Sequence, residues 1–300
     1  PTQTMTHTQT SVIHSQIEAF PPLPATVTKV LAVTSNPESS AQALMKAVIP
    51  DQAMSTAILK AANSAFFGVP REVSTIERAV VVLGYEEIRN IVIGKAIFSS
   101  LPKLSKEARQ TVGIFWEHAF TCGLAAKIIA EHLHLSPSEL FLDGLIHDIG
   151  KIAMLLAFPN EYSILRDISK PNHDHTTSEE KNKFGISHDE AGLELARRWL
   201  LPEQLMMAIG YHHKPETAPS FVERPLIVQV ADILSLIHCY SDSMNGVDVE
   251  KIFSDFFPEI ASLWQNHQLQ WQPENLGTWF ETLDKNREDE QSILSIFTTS

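Results

Sequence analysis

Apolar residues recur at three- and four-residue intervals along most of this 300-residue chain, and strict alternation of apolar and polar residues is scarce. The first spacing lines one face of an α-helix, whereas alternation lines one face of a β-strand. Ser74-Thr-Ile-Glu77 and Ser187-His-Asp-Glu190 also carry the serine-to-glutamate spacing that begins many helices. The pattern therefore predicts an all-α protein.

Breaks in this helical pattern divide the chain into four predicted parts. They are a flexible, Thr- and Gln-rich arm at residues 1–15, an N-terminal helical subdomain at 16–106, a helical bundle at 107–245 and a helical C-terminal extension at 246–300. Within the bundle, a helix is predicted from about Phe141 to Phe158 with a break near Gly150, and the polar stretch 169–181 is predicted to be a loop.

The charge of the chain argues against a nucleic-acid partner. The net charge is −13; residues 1–105 hold eight basic and seven acidic residues, so the remainder carries a balance of −14. Nucleic-acid binders normally show a basic footprint, whereas an acidic field suits bound cations.

Composition also bears on the cellular location. The two cysteines, Cys122 and Cys239, lie inside apolar helical patterns and indicate buried thiols in a reducing compartment. The start of the chain lacks the pattern of a signal peptide, and no apolar run approaches the ~18 residues that span a bilayer. We therefore expect a cytoplasmic protein without a membrane partner.

Histidines are concentrated in the predicted bundle, where ten of the thirteen lie between positions 118 and 238. His118 falls on an apolar helical face, on which a lone histidine is more often a core imidazole satisfied by one hydrogen bond. Asp232 lies inside an apolar helix, where either a metal or a hydrogen-bond network must compensate its burial. Alone, neither residue decides between these readings.

The remaining candidates come as two pairs and two single residues. His147-Asp148 is adjacent in sequence, which is a weak signal by itself, since side chains of adjacent helical residues point about 100° apart. His188 opens one predicted helix, and His212-His213 ends another. Lys151 follows the first pair closely enough to neutralise a bound phosphate.

Taken together, these residues form a mixed nitrogen and oxygen ligand set. The candidate ligands are His118, His147, Asp148, His188, His212, His213 and Asp232. Seven ligands exceed what one tetrahedral ion uses, so two divalent transition-metal ions bridged by a carboxylate fit better. The set suits iron, manganese, nickel or zinc, and does not distinguish among them.

The order of these residues resembles the HD phosphohydrolase superfamily, especially its HD-GYP branch. The strings Glu117-His118-Ala-Phe-Thr, His147-Asp148-Ile-Gly-Lys151 and Val230-Ala-Asp232 agree with it. The first part of the chain resembles the HDOD family in Phe20-Pro-Pro-Leu-Pro and in Ile58-Leu-Lys-Ala-Ala-Asn-Ser-Ala. The resemblance covers about residues 16 to 240.

Two departures from these families shape the expected function. The segment Lys214-Pro215-Glu216 lacks the Glu and the Gly-x-Gly-Tyr-Pro string of cyclic-di-GMP hydrolases. HDOD proteins, in turn, tend to have lost the HD ligands and act as regulatory modules, whereas this chain keeps them.

The resemblance therefore implies a signal-transduction protein with a binuclear His/Asp metal centre, whose partner is a signalling protein or a phosphate-containing small molecule. One alternative is an intact pocket that is occupied by a nucleotide and never cleaves it. The other alternative is a metal-dependent phosphohydrolase that does not act on cyclic-di-GMP. In that alternative, a metal-bridging hydroxide attacks phosphorus, Asp148 bridges the ions and Lys151 stabilises charge on the phosphoryl oxygens.

Overall fold

The computed structural model describes residues 2–36, 38–64, 67–101, 106–162, 173–240 and 247–286. Every regular element in these ranges is a helix, which confirms the predicted all-α class. The described residues form two compact units, one of residues 21–101 and the other of residues 2–20 and 106–285.

The smaller unit, residues 21–101, is built from five helices. They are α2 (Ala25–Thr34), α3 (Ala41–Val48), α4 (Gln52–Ala62), α5 (Ile76–Leu83) and α6 (Tyr85–Ser99). The side chains of Ser40, Asp51 and Thr75 each accept a hydrogen bond from a backbone N–H in the first turn of α3, α4 and α5. These caps satisfy helix-terminal donors that would otherwise lack partners. Helix α2 packs against α3 and α6, and α4 packs against α5 and α6, around an aliphatic core.

The larger unit, which we call the bundle, contains the remaining helices. They are α1 (Thr2–Ala19), α7 (Lys106–His132), α8 (Pro137–Ile146), α9 (Ile149–Ala157), α10 (His173–Phe184), α11 (His188–Arg198), α12 (Glu203–Tyr211), α13 (Glu223–Tyr240), α14 (Val249–Phe256), α15 (Ile260–Asn266) and α16 (Glu274–Lys285).

Helix α7 is the central helix of the bundle and packs against α8, α13 and α16. A Cβ atom on Gly144 of α8 would lie 2.7 Å from the Cα of Gly123 of α7, so a larger residue there would force the two helices apart. The stretch Val112–His132 is long and apolar enough to cross a membrane, but 78% of its most apolar window is buried inside the protein. This stretch therefore serves as a core helix.

The predicted flexible arm at residues 1–15 is wrong. The chain is helical over Thr2–Ala19, and Ile13 and Ile17, four residues apart on one face, are buried. Helix α1 packs on α9 and α11, and the Thr10 hydroxyl donates a hydrogen bond to the Phe184 carbonyl at 3.0 Å. The abundance of Thr and Gln hides this apolar face from a composition argument.

The predicted loop at 169–181 is also wrong over its described part, where α10 begins at His173. This helix is polar on most of its surface, and its few buried positions, Thr177, Glu180 and Phe184, follow three- and four-residue steps. The helical C-terminal extension belongs to the bundle through contacts of α15 with α13 and of α16 with α7.

Candidate metal centre

The His147-Asp148 pair lies at a break between two helices and not inside one helix. Helix α8 ends at Ile146 and α9 begins at Ile149, so the predicted break near Gly150 falls two residues too late. Because the chain turns here, the His147 Nε2 and the Asp148 Oδ2 lie 3.3 Å apart and face the same space. In a continuous helix these two side chains would point about 100° apart. The turn between α8 and α9 removes this obstacle to a shared site.

Gly150 permits a close approach, but to another helix and not to a ligand. A Cβ atom at this position would clash with the carbonyl oxygen of His188 and would lie 2.5 Å from the backbone nitrogen of Gly192. The start of α9 therefore lies directly against the first turn of α11. This contact brings His188, the first residue of α11, beside the His147-Asp148 turn.

The other ligand candidates come from three further helices. His118 lies within α7 and Asp232 within α13, and these two helices pack against each other. His212 and His213 follow the last residue of α12, where the helix stops before a short 3-10 turn, Pro215–Thr217. All seven predicted ligands are buried, none being more than 7% exposed.

The seven side chains form two groups that share one space. The first consists of His118, His147 and Asp232, and the second of Asp148, His188, His212 and His213. Within each group the potential ligand atoms all lie within 4.8 Å of one another. The structure therefore brings together every residue in the predicted ligand set.

The carboxylate of Asp148 lies between the two groups. Its Oδ1 lies 3.2 Å from the His188 Nε2 and 3.6 Å from the His212 Nε2. Its Oδ2 lies 3.3 Å from the His147 Nε2 and 3.8 Å from the His118 Nε2. Asp232 belongs to one side only, since its Oδ1 lies 3.0 Å from the His118 Nε2 and 3.6 Å from the His147 Nε2.

Four of the imidazoles are oriented through their other ring nitrogen. The Nδ1 atoms of His147 and His212 donate to the carbonyls of Gly144 and Ile209, at 2.7 and 2.9 Å. The His188 Nδ1 donates to the Glu180 carboxylate at 2.7 Å. Each of these Nδ1 atoms carries a proton, so that the Nε2 of each ring is the nitrogen that faces the centre.

The fourth imidazole, His118, follows the same rule through a hydroxyl group. Its Nδ1 lies 3.0 Å from the Ser235 Oγ, and that hydroxyl donates its own proton to the Asp232 carbonyl at 2.9 Å. The Ser235 oxygen must therefore accept a hydrogen bond from the His118 Nδ1, which leaves the His118 Nε2 lone pair toward Asp232.

The buried charges shift the pKa values of these groups. Burial opposes the charge on His147, but the nearby Asp148 carboxylate raises the pKa of His147 well above its usual value. Burial likewise opposes the charge of His188, but Glu180 outweighs it and raises the pKa of His188 to about 10. Burial also opposes the ionised form of Asp148, yet His147 and Lys151 hold the pKa of Asp148 well below its usual value.

His212 behaves differently, and this difference tests whether the residues fit a metal. Burial lowers the pKa of His212, so its Nε2 keeps a bare lone pair. That buried nitrogen has no hydrogen-bond partner among the described residues, and it faces a carboxylate oxygen. A cation between a nitrogen lone pair and a carboxylate oxygen would compensate their burial. The donor set therefore fits a bound metal ion.

Lys151 is buried and lies 2.6 Å from the Asp148 Oδ2. An ammonium group in this position neutralises part of the carboxylate charge and restricts its orientation. The first role of Lys151 in this structure is therefore an ion pair with Asp148.

Sequence reasoning missed the residues that hold the ligands in place. Glu180 accepts hydrogen bonds from the backbone N–H and the Nδ1 of His188, and the Tyr162 hydroxyl donates to the other Glu180 oxygen at 2.8 Å. The only sequence signal for Glu180 is its three- and four-residue spacing from Thr177 and Phe184 in a polar stretch.

A cavity of about 330 Å³ borders one side of the centre. Its lining includes His212, His213 and Asp232 from the ligand set and Phe256 and Phe257 from the C-terminal extension. The cavity gives a small molecule a route to the metal ligands.

The chain is similar to several known proteins. An uncharacterised protein of Treponema pallidum (strain Nichols) is 27% identical over 231 residues; these make up 76% of this chain but only 44% of that protein, so the chain spans less than half of its relative. A crystal structure from Shewanella amazonensis SB2B, of a protein provisionally named as a phosphohydrolase, is 23% identical, with a TM-score of 0.68 over 95% of this chain and 98% of that one.

A structure from Marinobacter aquaeolei VT8, provisionally named as a signal transduction protein, is 17% identical, with a TM-score of 0.69 over 98% of this chain and 66% of that one. These likenesses in structure establish the fold. The sequence also matches the HDOD domain family over residues 20–215, well over half of its length. This chain is therefore a member of the HDOD family, and it has retained a buried cluster of histidine and aspartate side chains suited to metal.

Proposed function

We propose that this HDOD protein is a regulatory, signal-transducing module whose buried centre holds two divalent transition-metal ions. The observation that carries the proposal is the position of Asp148, whose two carboxylate oxygens face different groups of imidazoles. A carboxylate in such a position is suited to bridging two ions, one in each group.

Each of the two groups of side chains can supply the ligands of one ion. His118, His147 and Asp232 would hold one ion, and His188, His212 and His213 would hold the other, with Asp148 shared. Imidazole and carboxylate ligands without thiolate suit iron, manganese, nickel or zinc. Bound ions of this kind supply positive charge to a phosphoryl oxygen and lower the pKa of water.

Several features favour regulation as the main role. The imidazoles are locked by backbone carbonyls, by Ser235 and by Glu180, so that the centre also stabilises the packing of α7, α8, α11, α12 and α13. A ligand at this centre would therefore act on several helices at once. The Marinobacter protein with the same fold carries a signal-transduction name. We expect the partner to be a signalling protein or a phosphate-containing small molecule, and not a nucleic acid.

The second candidate function is hydrolysis of a phosphate ester. The cavity favours this function because it reaches His212, His213 and Asp232 directly. In such a reaction Asp148 would keep its orientation through Lys151, and Lys151 would add positive charge near the phosphoryl group. The Shewanella protein with the same fold carries a phosphohydrolase name.

Metal analysis of the 300-residue chain purified without chelator tests the proposal. We expect about two transition-metal ions per chain in the wild type and in His132→Ala, a control at an exposed histidine outside the cluster, and fewer in His147→Ala. A chain that binds no metal, even after reconstitution with iron, manganese or zinc, would contradict the proposed centre. A single ion per chain would contradict the bridging role of Asp148.

A screen of phosphodiesters with the metal-loaded protein then separates the two functions. We expect turnover of cyclic-di-GMP to be undetectable, because Lys214-Pro215-Glu216 contains no glycine that would let the backbone approach a dinucleotide. Weak cleavage of simple aryl phosphodiesters is compatible with the phosphohydrolase alternative. Rapid conversion of cyclic-di-GMP that His147→Ala abolishes would replace the regulatory proposal with an enzymatic one.

A further inference from the structure

The cavity beside the metal centre has two chemically different sides. One side is formed by the ligand candidates His212, His213 and Asp232. A second side is formed by Phe256, Phe257, Glu259 and Leu263 of the C-terminal extension. This second side lies outside residues 20–215, the part of the chain that matches the HDOD family. The family match therefore does not define the chemistry of this side.

The extension presents a supported aromatic surface to the cavity. Phe257 is 8% exposed and contacts the Phe253 ring, with a centroid distance of 5.8 Å. Phe256, by contrast, is 54% exposed, although it is one of the largest apolar side chains in the bundle. An exposed phenyl ring at a cavity edge offers a flat apolar face on which a planar ligand group can stack.

The residues of the C-terminal extension that line the cavity are held in place by helices of the bundle. Helix α15, which follows Phe257, packs against α13, the helix that carries Asp232. Helix α14, which ends at Phe256, packs against α16, and α16 packs against α7. The distance between the aromatic surface and the metal ligands is therefore set by packed helices, which suits a surface that selects ligands by size.

The exposed polar residues around the cavity limit the charge of a ligand. Lys214, Glu216 and Glu259 all line the cavity and are exposed, which gives this rim a formal charge of −1. A second phosphate group would lie near the two carboxylates and would be repelled by them. The same carboxylates can accept hydrogen bonds from hydroxyl or amino groups of a ligand.

The cavity volume limits the size of the ligand. About 330 Å³ lies at the lower end of the roughly 300–1,000 Å³ typical of small-molecule pockets. Such a space suits one ring system with its phosphate, and not two of each.

We propose that the C-terminal extension is the specificity wall of the centre, and that the cavity takes a phosphate monoester with one flat ring and hydrogen-bond donors, about the size of a nucleoside monophosphate. The phosphate lies at the metal-ligand side and the ring lies on Phe256. This inference rests on the proposed function only in that the phosphate end needs the metal centre; the ring end depends on the extension alone.

Calorimetric binding to the full, manganese-loaded chain tests the wall with three probes. These are inorganic phosphate, phenyl phosphate and cyclic-di-GMP. We expect phenyl phosphate to bind about tenfold more tightly than inorganic phosphate, because its ring buries apolar surface. We expect cyclic-di-GMP to bind more weakly than phenyl phosphate. Cyclic-di-GMP binding that equals or exceeds that of phenyl phosphate would overturn the proposed size limit.

Substitution of the wall supplies the second test. Phe256→Ala should reduce the preference for phenyl phosphate over inorganic phosphate to less than threefold. Phe221→Ala removes another exposed phenylalanine, one that does not line the cavity, and should retain the full preference. Equal melting temperatures of the two variants would show that both are folded. An unchanged preference in Phe256→Ala would overturn the role of the extension.

Chelation separates this inference from the proposed function. Removing the metal should abolish binding of inorganic phosphate. Phosphate binding that survives chelation would contradict the metal centre, whereas the effect of Phe256→Ala on the preference for the ring would still report on the wall. A metal-dependent phosphate site that shows no preference for the ring would contradict the wall alone.

Discussion

The two compact units follow the same rules of helix formation but bury very different groups. In residues 21–101 the buried polar side chains in the described structure are Ser64, Asn90, Lys95 and Ser100, within an aliphatic core. The bundle buries most of its polar groups around one point, where imidazoles and carboxylates meet. Buried ionisable groups destabilise a fold unless they are paired, protonated or bound to metal.

The two lysines that are buried within the described ranges show the same difference. Burial and the nearby charge of Lys60 lower the pKa of Lys95 in the smaller unit. In the bundle, Lys151 forms a short ion pair with Asp148 and so becomes part of the charge balance of the centre. The stability of the smaller unit therefore depends mainly on apolar packing and helix caps, whereas that of the bundle also depends on charge compensation.

The largest effect is expected at a buried ion pair of the bundle that does not include the metal ligands. Arg224 is buried and lies 2.7 Å from both the Asp143 and the Glu139 carboxylates. Arg224→Ala should lower the free energy of unfolding by about 3–5 kcal/mol, because it leaves Asp143 buried without its cation. Chemical denaturation with and without chelator measures this, with Arg197→Ala, at an exposed arginine, as the control. A loss below about 1 kcal/mol would show that this ion pair is not needed.

The next largest effect is expected when metal ligands are removed. His147→Ala and Asp232→Ala should lower stability by about 3–4 kcal/mol at metal concentrations several hundred times the dissociation constant. This corresponds to a fall in melting temperature of roughly 10 °C. Chelator should lower the melting temperature of the wild type and change that of the variants much less. Equal melting temperatures for all three proteins, with and without chelator, would contradict the metal-dependent stability of the bundle.

Hydrogen exchange can assign the same effect to one unit. Chelation should increase amide exchange in α8, α9 and α11, whose ends carry the ligands, and leave α4 and α6 of the smaller unit unchanged. An equal loss of protection in both units would contradict this assignment, since metal would then stabilise both units alike.

A smaller effect is expected for the residue that orients His188. Glu180→Gln keeps the shape of the side chain but removes the charge that the His188 Nδ1 faces at 2.7 Å. Metal affinity should fall about 10- to 100-fold, as is usual for partners of metal-binding histidines. Competition with a fluorescent chelator measures this, and Glu179→Gln, at the exposed neighbouring residue, should keep wild-type affinity. Wild-type affinity in both variants would show that Glu180 is not a positioning residue.

The smallest effect concerns the unit without the centre. Asp51 caps α4 by accepting a hydrogen bond from the Met54 backbone N–H at 3.0 Å. Asp51→Ala should cost about 1 kcal/mol of stability, the usual value for a lost helix cap. The cost should be the same with and without chelator in a denaturation experiment. A cost that depends on metal would show that the two units are energetically coupled.

Much of the candidate site could be predicted because its residues break a strong local pattern. His118 and Asp232 are ionisable residues on apolar helical faces, and that contradiction is visible in the sequence. Glu180 could not be found in the same way, because a charged residue in a polar stretch contradicts nothing. Helix α1 was missed for a related reason, since in its described side chains, from Gln9 onward, the buried residues are Ile13 and Ile17, too few to distinguish a buried face from a polar arm.

The sequence by itself determined the all-α class, the family and the order of seven candidate ligands, because helical periodicity and short motifs are local properties of the chain. Tertiary structure alone decided that the two oxygens of Asp148 face different groups of imidazoles, and that the C-terminal extension closes one side of the cavity. Both depend on contacts between distant helices, such as the approach of Gly150 to Gly192 and the packing of α15 on α13. Spacing along the chain determines which face of a helix a side chain occupies, whereas distances of a few ångströms between helices are set by how whole faces pack.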